Sequence, residues 1–204
     1  MTRNAMRNFR VLLWGAVLAT GIWASWFFLL GPGAGPGRPP EAGIALGRGD
    51  YQLTTTTGEA FTQNSLVGQP SLVFFGFTHC PDVCPTTLGE LSVLLDDLGP
   101  QGDDLQVLLI SGDPERDTPE RLNEYLQSFD PRIVGLTGSE EEIEEAFSAF
   151  KAYRAIVPLE NGDYTVDHSA GAYLFDREGG FFGILDSHEA KEIQRQKIER
   201  LLAT

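Results

Sequence analysis

Cysteine is scarce in this chain: two among 204 residues, too few for a scaffold held together by disulfides. Basic residues are few as well. Fifteen lysines and arginines stand against 29 acids, a net charge of -14, which argues against a nucleic-acid binder, since that function needs a basic face to neutralise phosphates. No internal repeat is visible. What is there is the composition of a globular protein: 42% hydrophobic and 22% charged residues, in a chain long enough to bury a core.

The charge is unevenly placed. Residues 1–30 hold Arg3, Arg7 and Arg10 and no acid, whereas residues 31–204 carry 12 basic against 29 acidic groups. Residues 11–30 are 20 positions without a charge. As a helix they would span about 30 Å, the thickness of a bilayer core. The arginines just before them leave residues 1–10 in the cytoplasm and the rest of the chain outside. The expectation is a retained transmembrane anchor. A cleaved signal peptide is the alternative, but its apolar stretch is usually shorter, and Pro32 and Pro36 crowd any cleavage site. Residues 31–49 contain seven glycines and four prolines and read as a flexible tether, leaving residues 50–204 as the folded domain. That domain would face an oxidising compartment, where a cysteine pair can cycle between thiol and disulfide.

Within the domain, the runs 72–77 (LVFFGF) and 105–111 (LQVLLIS) are short, continuous and apolar, as buried strands are. Leu88, Leu91, Leu95 and Leu98 recur between them at helical spacing. Thr118 offers an N-cap with Pro119 at the first helical position, followed by Leu122, Tyr125, Leu126 and Phe129 as an apolar stripe. Ser139 and Glu142 form a capping box ahead of Ile143, Phe147 and Phe150. Residues 172–176 and 181–185 predict a hairpin around Glu178-Gly179-Gly180, and residues 189–202 a last helix. Strands alternating with helices predict an α/β sandwich, its central sheet covered on both faces and containing parallel pairs.

Both cysteines lie in one segment, Phe77-Thr78-His79-Cys80-Pro81-Asp82-Val83-Cys84-Pro85, between a strand and a helix. In an α/β sheet the crevice beyond the carboxyl ends of strands is the usual place for chemistry. If the segment is helical, a spacing of four puts both sulfurs on one side. The helix dipole would then lower a thiolate's pKa. A permanent bridge over so short a loop would add little stability. A working pair is therefore expected, for disulfide exchange or for a soft metal such as copper(I) with a third ligand. The candidates for that ligand are His79, His168 and His188. His79 abuts Cys80 and so points away from a site that Cys80 enters. His188 starts a polar helix, and His168 precedes an apolar strand.

Residues 51–202 resemble the Sco/SenC family of membrane-anchored, thioredoxin-like copper proteins that serve cytochrome c oxidase assembly. The resemblance is carried by CPDVCP at 80–85, DPERDTP at 113–119, YTVDHS at 164–169 and the anchor with its tether. It implies a thioredoxin-like sandwich, a central mixed sheet flanked by helices and preceded by one transmembrane helix. It implies that Cys80, Cys84 and His168 bind one copper ion, Cu(I) or Cu(II). It further implies delivery to the binuclear copper site of oxidase subunit II, or reduction of that site's cysteines. The domain would sit on the periplasmic side of the inner membrane and receive copper from an upstream periplasmic donor.

Asp167 or a backbone carbonyl is expected to orient the imidazole. DPERDTP is expected to act structurally, Asp113-Pro114 turning the chain and Thr118-Pro119 opening a helix. The acidic run 140–145 reads as a solvated helix face. Gly112 departs from the family pattern, where a larger residue is commoner, and the segment after Phe182 is compact. Three functions compete: a copper metallochaperone, a thiol–disulfide oxidoreductase in which one cysteine attacks and the other resolves, and a thiol peroxidase. The last is disfavoured because position 77, three before Cys80, is Phe where a peroxiredoxin would have threonine.

Overall fold

A computed structural model describes residues 13–15, 20, 45–160 and 162–204. The chain divides into two compact units, 1–42 and 43–204. In the first, residues 13–15 and 20 are helical; the remainder of the expected anchor 11–30 and all of segment 1–10 lie outside the described residues. Among the described residues no helix is long and apolar enough to cross a membrane. At the end of the glycine- and proline-rich stretch, Leu46 is buried in the second unit and the Gly47 N–H donates to the Ala149 carbonyl.

The second unit is built on a seven-stranded mixed sheet in the order β2-β1-β5-β4-β3-β8-β9. The strands are β1 (Gln52–Thr55), β2 (Ala60–Thr62), β3 (Ser71–Gly76), β4 (Gln106–Ser111), β5 (Ile133–Thr137), β8 (Ala172–Phe175) and β9 (Phe181–Leu185). Strand β3 runs parallel to β4, and β4 parallel to β5; β1 and β8 pair antiparallel to this trio. A separate antiparallel ribbon joins β6 (Arg154–Pro158) to β7 (Tyr164–His168).

The apolar run of β3 is continuous because both of its faces are covered. Leu72 and Phe74 enter one core, together with Leu88, Leu91 and Leu95 of α1 (Val83–Leu98), Leu122 and Leu126 of α2 (Pro119–Leu126) and Ile198 and Leu201 of α4 (Lys191–Leu202). Val73 and Phe75 enter the other, with Ile143, Ala146 and Phe147 of α3 (Glu140–Ala149). Side chains alternate across a strand, so one run of sequence feeds two layers. Each fully buried leucine or phenylalanine contributes about 1.5–3 kcal/mol.

The expected caps are present: Thr118 accepts from the Arg121 N–H, and Ser139 and Glu142 form a reciprocal box. The closing hairpin is β8–β9, turning at Gly179, whose φ of 71° suits glycine. The last helix begins at Lys191 and not at 189. Residues 186–189 are instead taken up by a turn in which the His188 N–H donates to Asp186.

Candidate metal centre

The cysteine segment leaves β3 at Gly76 and turns into α1. Cys84 is the second residue of that helix, whereas Cys80 lies in the loop ahead of it. The two sulfurs are thus brought together by a loop-to-helix turn and not by one helical face, which corrects the expectation from spacing. Cys80 also accepts the Cys84 N–H at 3.3 Å, so its sulfur takes up one of the unpaired amides of the helix start.

Gly76 makes room for this. A Cβ there would lie 3.0 Å from Cys84 Sγ and 3.1 Å from Leu109 Cδ1. Gly112, the departure noted above, is different: a Cβ there meets Phe147 and Val166 at an ordinary 3.4 Å.

Across the chain, β7 delivers His168. Its Nε2 stands 3.5 Å from Cys84 Sγ, although 84 positions separate the two residues. The ligand atoms of Cys80, Cys84 and His168 all lie within 4.8 Å of one another. The ring meets Phe74 and Phe77 edge-on. Its Nδ1 is 2.9 Å from the Ser169 carbonyl, which can only accept, so Nδ1 carries the proton and Nε2 presents a lone pair toward the sulfurs. The orienting group is that carbonyl; Asp167 is exposed and makes no hydrogen bond to the ring.

Burial governs the protonation of Cys84, which is fully buried, and of His168, which is partly so. It lowers the His168 pKa, keeping the imidazole neutral at pH 7. It pushes the Cys84 thiol well above its ordinary range, and the hydrogen bond with Cys80 adds to this. The helix dipole was expected to do the opposite. It loses because Cys84 has no exposed surface, and desolvation of a thiolate outweighs a partial charge at a helix end.

The other two histidines go elsewhere. His79 is exposed, with Nδ1 3.0 Å from the Thr78 hydroxyl. It forms a second group with Asp113 and Asp117, but both carboxylates are already engaged. His188 is exposed beside Asp186 at 3.0 Å.

DPERDTP does more than turn the chain. The wholly buried Asp117 carboxylate accepts the Thr78 N–H at 3.0 Å, the Thr78 hydroxyl at 2.5 Å and the Ser111 hydroxyl at 2.6 Å. It thereby fixes the loop two residues before Cys80. Asp113 pairs with Arg116 and accepts the Tyr164 hydroxyl at 2.9 Å. The Arg116 guanidinium lies 3.8 Å over the Tyr164 ring, at the start of the strand that ends in His168. The segment therefore braces the cysteine loop and the histidine ribbon at once. Sequence reasoning missed Thr78 and Asp117, whose pairing spans 39 positions and leaves no periodic trace.

Fold and site together define a thioredoxin-like α/β protein with a dithiol–imidazole centre at the end of a central strand. The chain belongs to the SCO1/SenC family, whose model matches residues 40–203. It is 40% identical over 152 residues to an SCO2-like protein of Rickettsia conorii, covering 74% of each chain. The structure of Bradyrhizobium japonicum ScoI with copper bound aligns with a TM-score of 0.72 at 44% identity, over 77% of this chain and 99% of that one. BsSco, a member of the Sco family of cytochrome c oxidase assembly proteins in which a disulfide switch was identified, aligns at 0.61 with 25% identity, over 79% and 94%.

Proposed function

We propose that this protein is a copper metallochaperone that carries one copper ion on Cys80 Sγ, Cys84 Sγ and His168 Nε2. It would deliver that ion to the binuclear copper site of cytochrome c oxidase subunit II. The observation that carries the reading is the convergence of those three ligand atoms within 4.8 Å. The donor set fits the cargo: two thiolates suit Cu(I), and an imidazole also accommodates Cu(II). With Nδ1 committed to the Ser169 carbonyl, Nε2 is ready to bind without reorienting.

The cysteines divide the work. Cys84 is fully buried and anchors the ion, while Cys80 is half-exposed and is the sulfur that a partner's ligand can displace. Both must lose protons to bind, so loading releases protons and weakens in acid. Residues 11–30 would anchor the chain in the inner membrane, with residues 31–49 as tether and the domain on the periplasmic side. There an upstream copper donor would load it.

A second reading draws on the same unequal exposure: a thiol–disulfide oxidoreductase acting on the cysteines of that oxidase site. Cys80 thiolate would attack a target disulfide, forming a mixed disulfide and releasing one target thiol. Cys84 would then attack Cys80 sulfur, releasing the second thiol and leaving a Cys80–Cys84 disulfide.

Mixing the copper-loaded, reduced protein with metal-free subunit II separates the two. Transfer of copper with no change in thiol count on either protein supports delivery. Loss of two thiols here and gain of two on subunit II supports reduction.

A further inference from the structure

Among the described residues, β6 and β7 pair only with each other, so the ribbon that delivers His168 is joined to the rest of the domain by side chains and not by the ladder of the main sheet. Val166 holds its middle in the core, and Tyr164 meets Asp113 and Arg116 at one end. At the other end, Arg154 lies directly opposite His168 in the register. Residues opposed in this way share a face, with Cβ atoms about 4.5–5.5 Å apart. The Arg154 side chain is 9% exposed and fully engaged. Its Nε donates to the Gly112 carbonyl at 2.5 Å, and its Nη1 and Nη2 donate to the two Glu140 carboxylate oxygens at 2.5 and 2.9 Å. A planar fork on a carboxylate fixes direction as well as distance. Glu140 is the first residue of α3, and Gly112 follows β4 directly. The Gly112 N–H in turn donates to the Gly76 carbonyl at 2.7 Å, where the cysteine segment leaves β3. A single residue, Gly112, thus links the start of that segment to the arginine opposite the histidine.

We infer that Arg154 is a positioning residue of the copper centre: clamped between Glu140 and Gly112, it sets where the ribbon places His168 and so keeps Nε2 beside the sulfurs. This deepens the copper reading above and rests on it. A two-stranded ribbon is marginally stable by itself, so its placement needs support from outside. The Ser169 carbonyl fixes the tautomer of the ring, but it belongs to the same segment and moves with it. The distance from His168 to Cys84 is set instead by contacts between the ribbon and the rest of the domain, and Arg154 makes them at the end that carries the ligand.

The test is Arg154→Met in the full-length chain, which keeps an apolar stem and removes the fork. Arg132→Met is the control. Arg132 makes the same kind of fork to Asp130, at 2.9 and 2.7 Å, and reaches the Gly99 carbonyl at 3.3 Å. It precedes β5, at the opposite end of the parallel strands from the cysteines. The first readout needs no metal. The chain has three histidines, and the His168 ring, edge-on to Phe74 and Phe77, should give proton signals displaced by ring currents from those of exposed His79 and His188. In the reduced, metal-free protein Arg154→Met should move the His168 signals toward the exposed pair. Arg132→Met should leave them in place, whatever it does to the thermal midpoint. The second readout uses one equivalent of Cu(I). Arg154→Met should keep both sulfurs in X-ray absorption, lose most of the nitrogen signal and bind Cu(I) about tenfold more weakly in a chelator competition. Glu140→Gln, which spares the bond to Gly112, should change the same quantities by less, and it decides the matter should Arg154→Met not fold. Unchanged His168 signals and an intact nitrogen in the deciding variant, or equal changes in Arg132→Met, would overturn the inference alone. Wild type that takes up no copper would overturn the copper reading and this role for Arg154 with it.

Discussion

The Asp117 carboxylate holds the Thr78 N–H at 3.0 Å and so ties the loop carrying Cys80 to a segment 39 positions later. Asp117 has no exposed surface and also accepts the hydroxyls of Thr78 and Ser111. One carboxylate thus sets where the sulfur loop leaves the sheet.

Replacing that carboxylate should therefore be severe. Asp117→Ala leaves a buried amide and two hydroxyls without their acceptor, and is expected to cost about 3 kcal/mol. Urea denaturation of the metal-free protein measures it. A loss below about 1 kcal/mol would show that these bonds are replaced by others.

Gly76 supplies a sharper test of the metal site's packing. Gly76→Ala places a Cβ 3.0 Å from Cys84 Sγ and 3.1 Å from Leu109 and Phe74, three buried side chains with little room to give. It should destabilise by about 1–3 kcal/mol, as overpacking does, and weaken copper binding in a chelator competition. Gly112→Ala, with 3.4 Å of clearance, should do distinctly less on both counts. Equal effects would remove the steric argument.

Stability should depend on pH from both sides. The His168 pKa is lowered from 6.5 in the folded state. Below pH 6.5 the unfolded chain takes up a proton that the folded one refuses, so stability falls as pH drops toward the folded pKa. Cys84 is raised from 9.0. Above pH 9 the unfolded thiol ionises while the folded one does not, so stability falls again as pH rises. Urea midpoints from pH 5 to 10 should show a plateau between these limits. His168→Asn should flatten the acid side and Cys84→Ser the alkaline side. A profile unchanged by both substitutions would contradict the burial argument.

Much of the sandwich was legible because buried strands and amphipathic helices leave strong patterns. The runs at 72–77 and 105–111 appear as β3 and β4 within a residue at each end, and the caps at Thr118 and Ser139 start their helices. The partly exposed strands were not legible. In β6, Arg154 makes an ion pair with Glu140, and Ile156 is half in solvent, so alternation is broken where a strand needs it. Strand β7 carries His168 in a two-stranded ribbon outside the main sheet, an arrangement set by its pairing with β6 and not by its own hydrophobicity. The three motifs marked the site, but not how it is wired. The Ser169 carbonyl and the Asp117–Thr78 bonds are products of tertiary approach, and no local spacing encodes them.

The account stands most directly on the ligand set. X-ray absorption at the copper edge, on the reduced full-length chain loaded with one equivalent of Cu(I), reads it without reference to any partner. Wild type should show two sulfurs at about 2.2–2.3 Å and one imidazole nitrogen at about 2.0 Å, distances near those of comparable thiolate and imidazole sites. His168→Ala should keep the sulfurs and lose the nitrogen, and Cys80→Ala or Cys84→Ala should each lose one sulfur. A spectrum in which His168→Ala matches wild type would contradict the three-ligand centre.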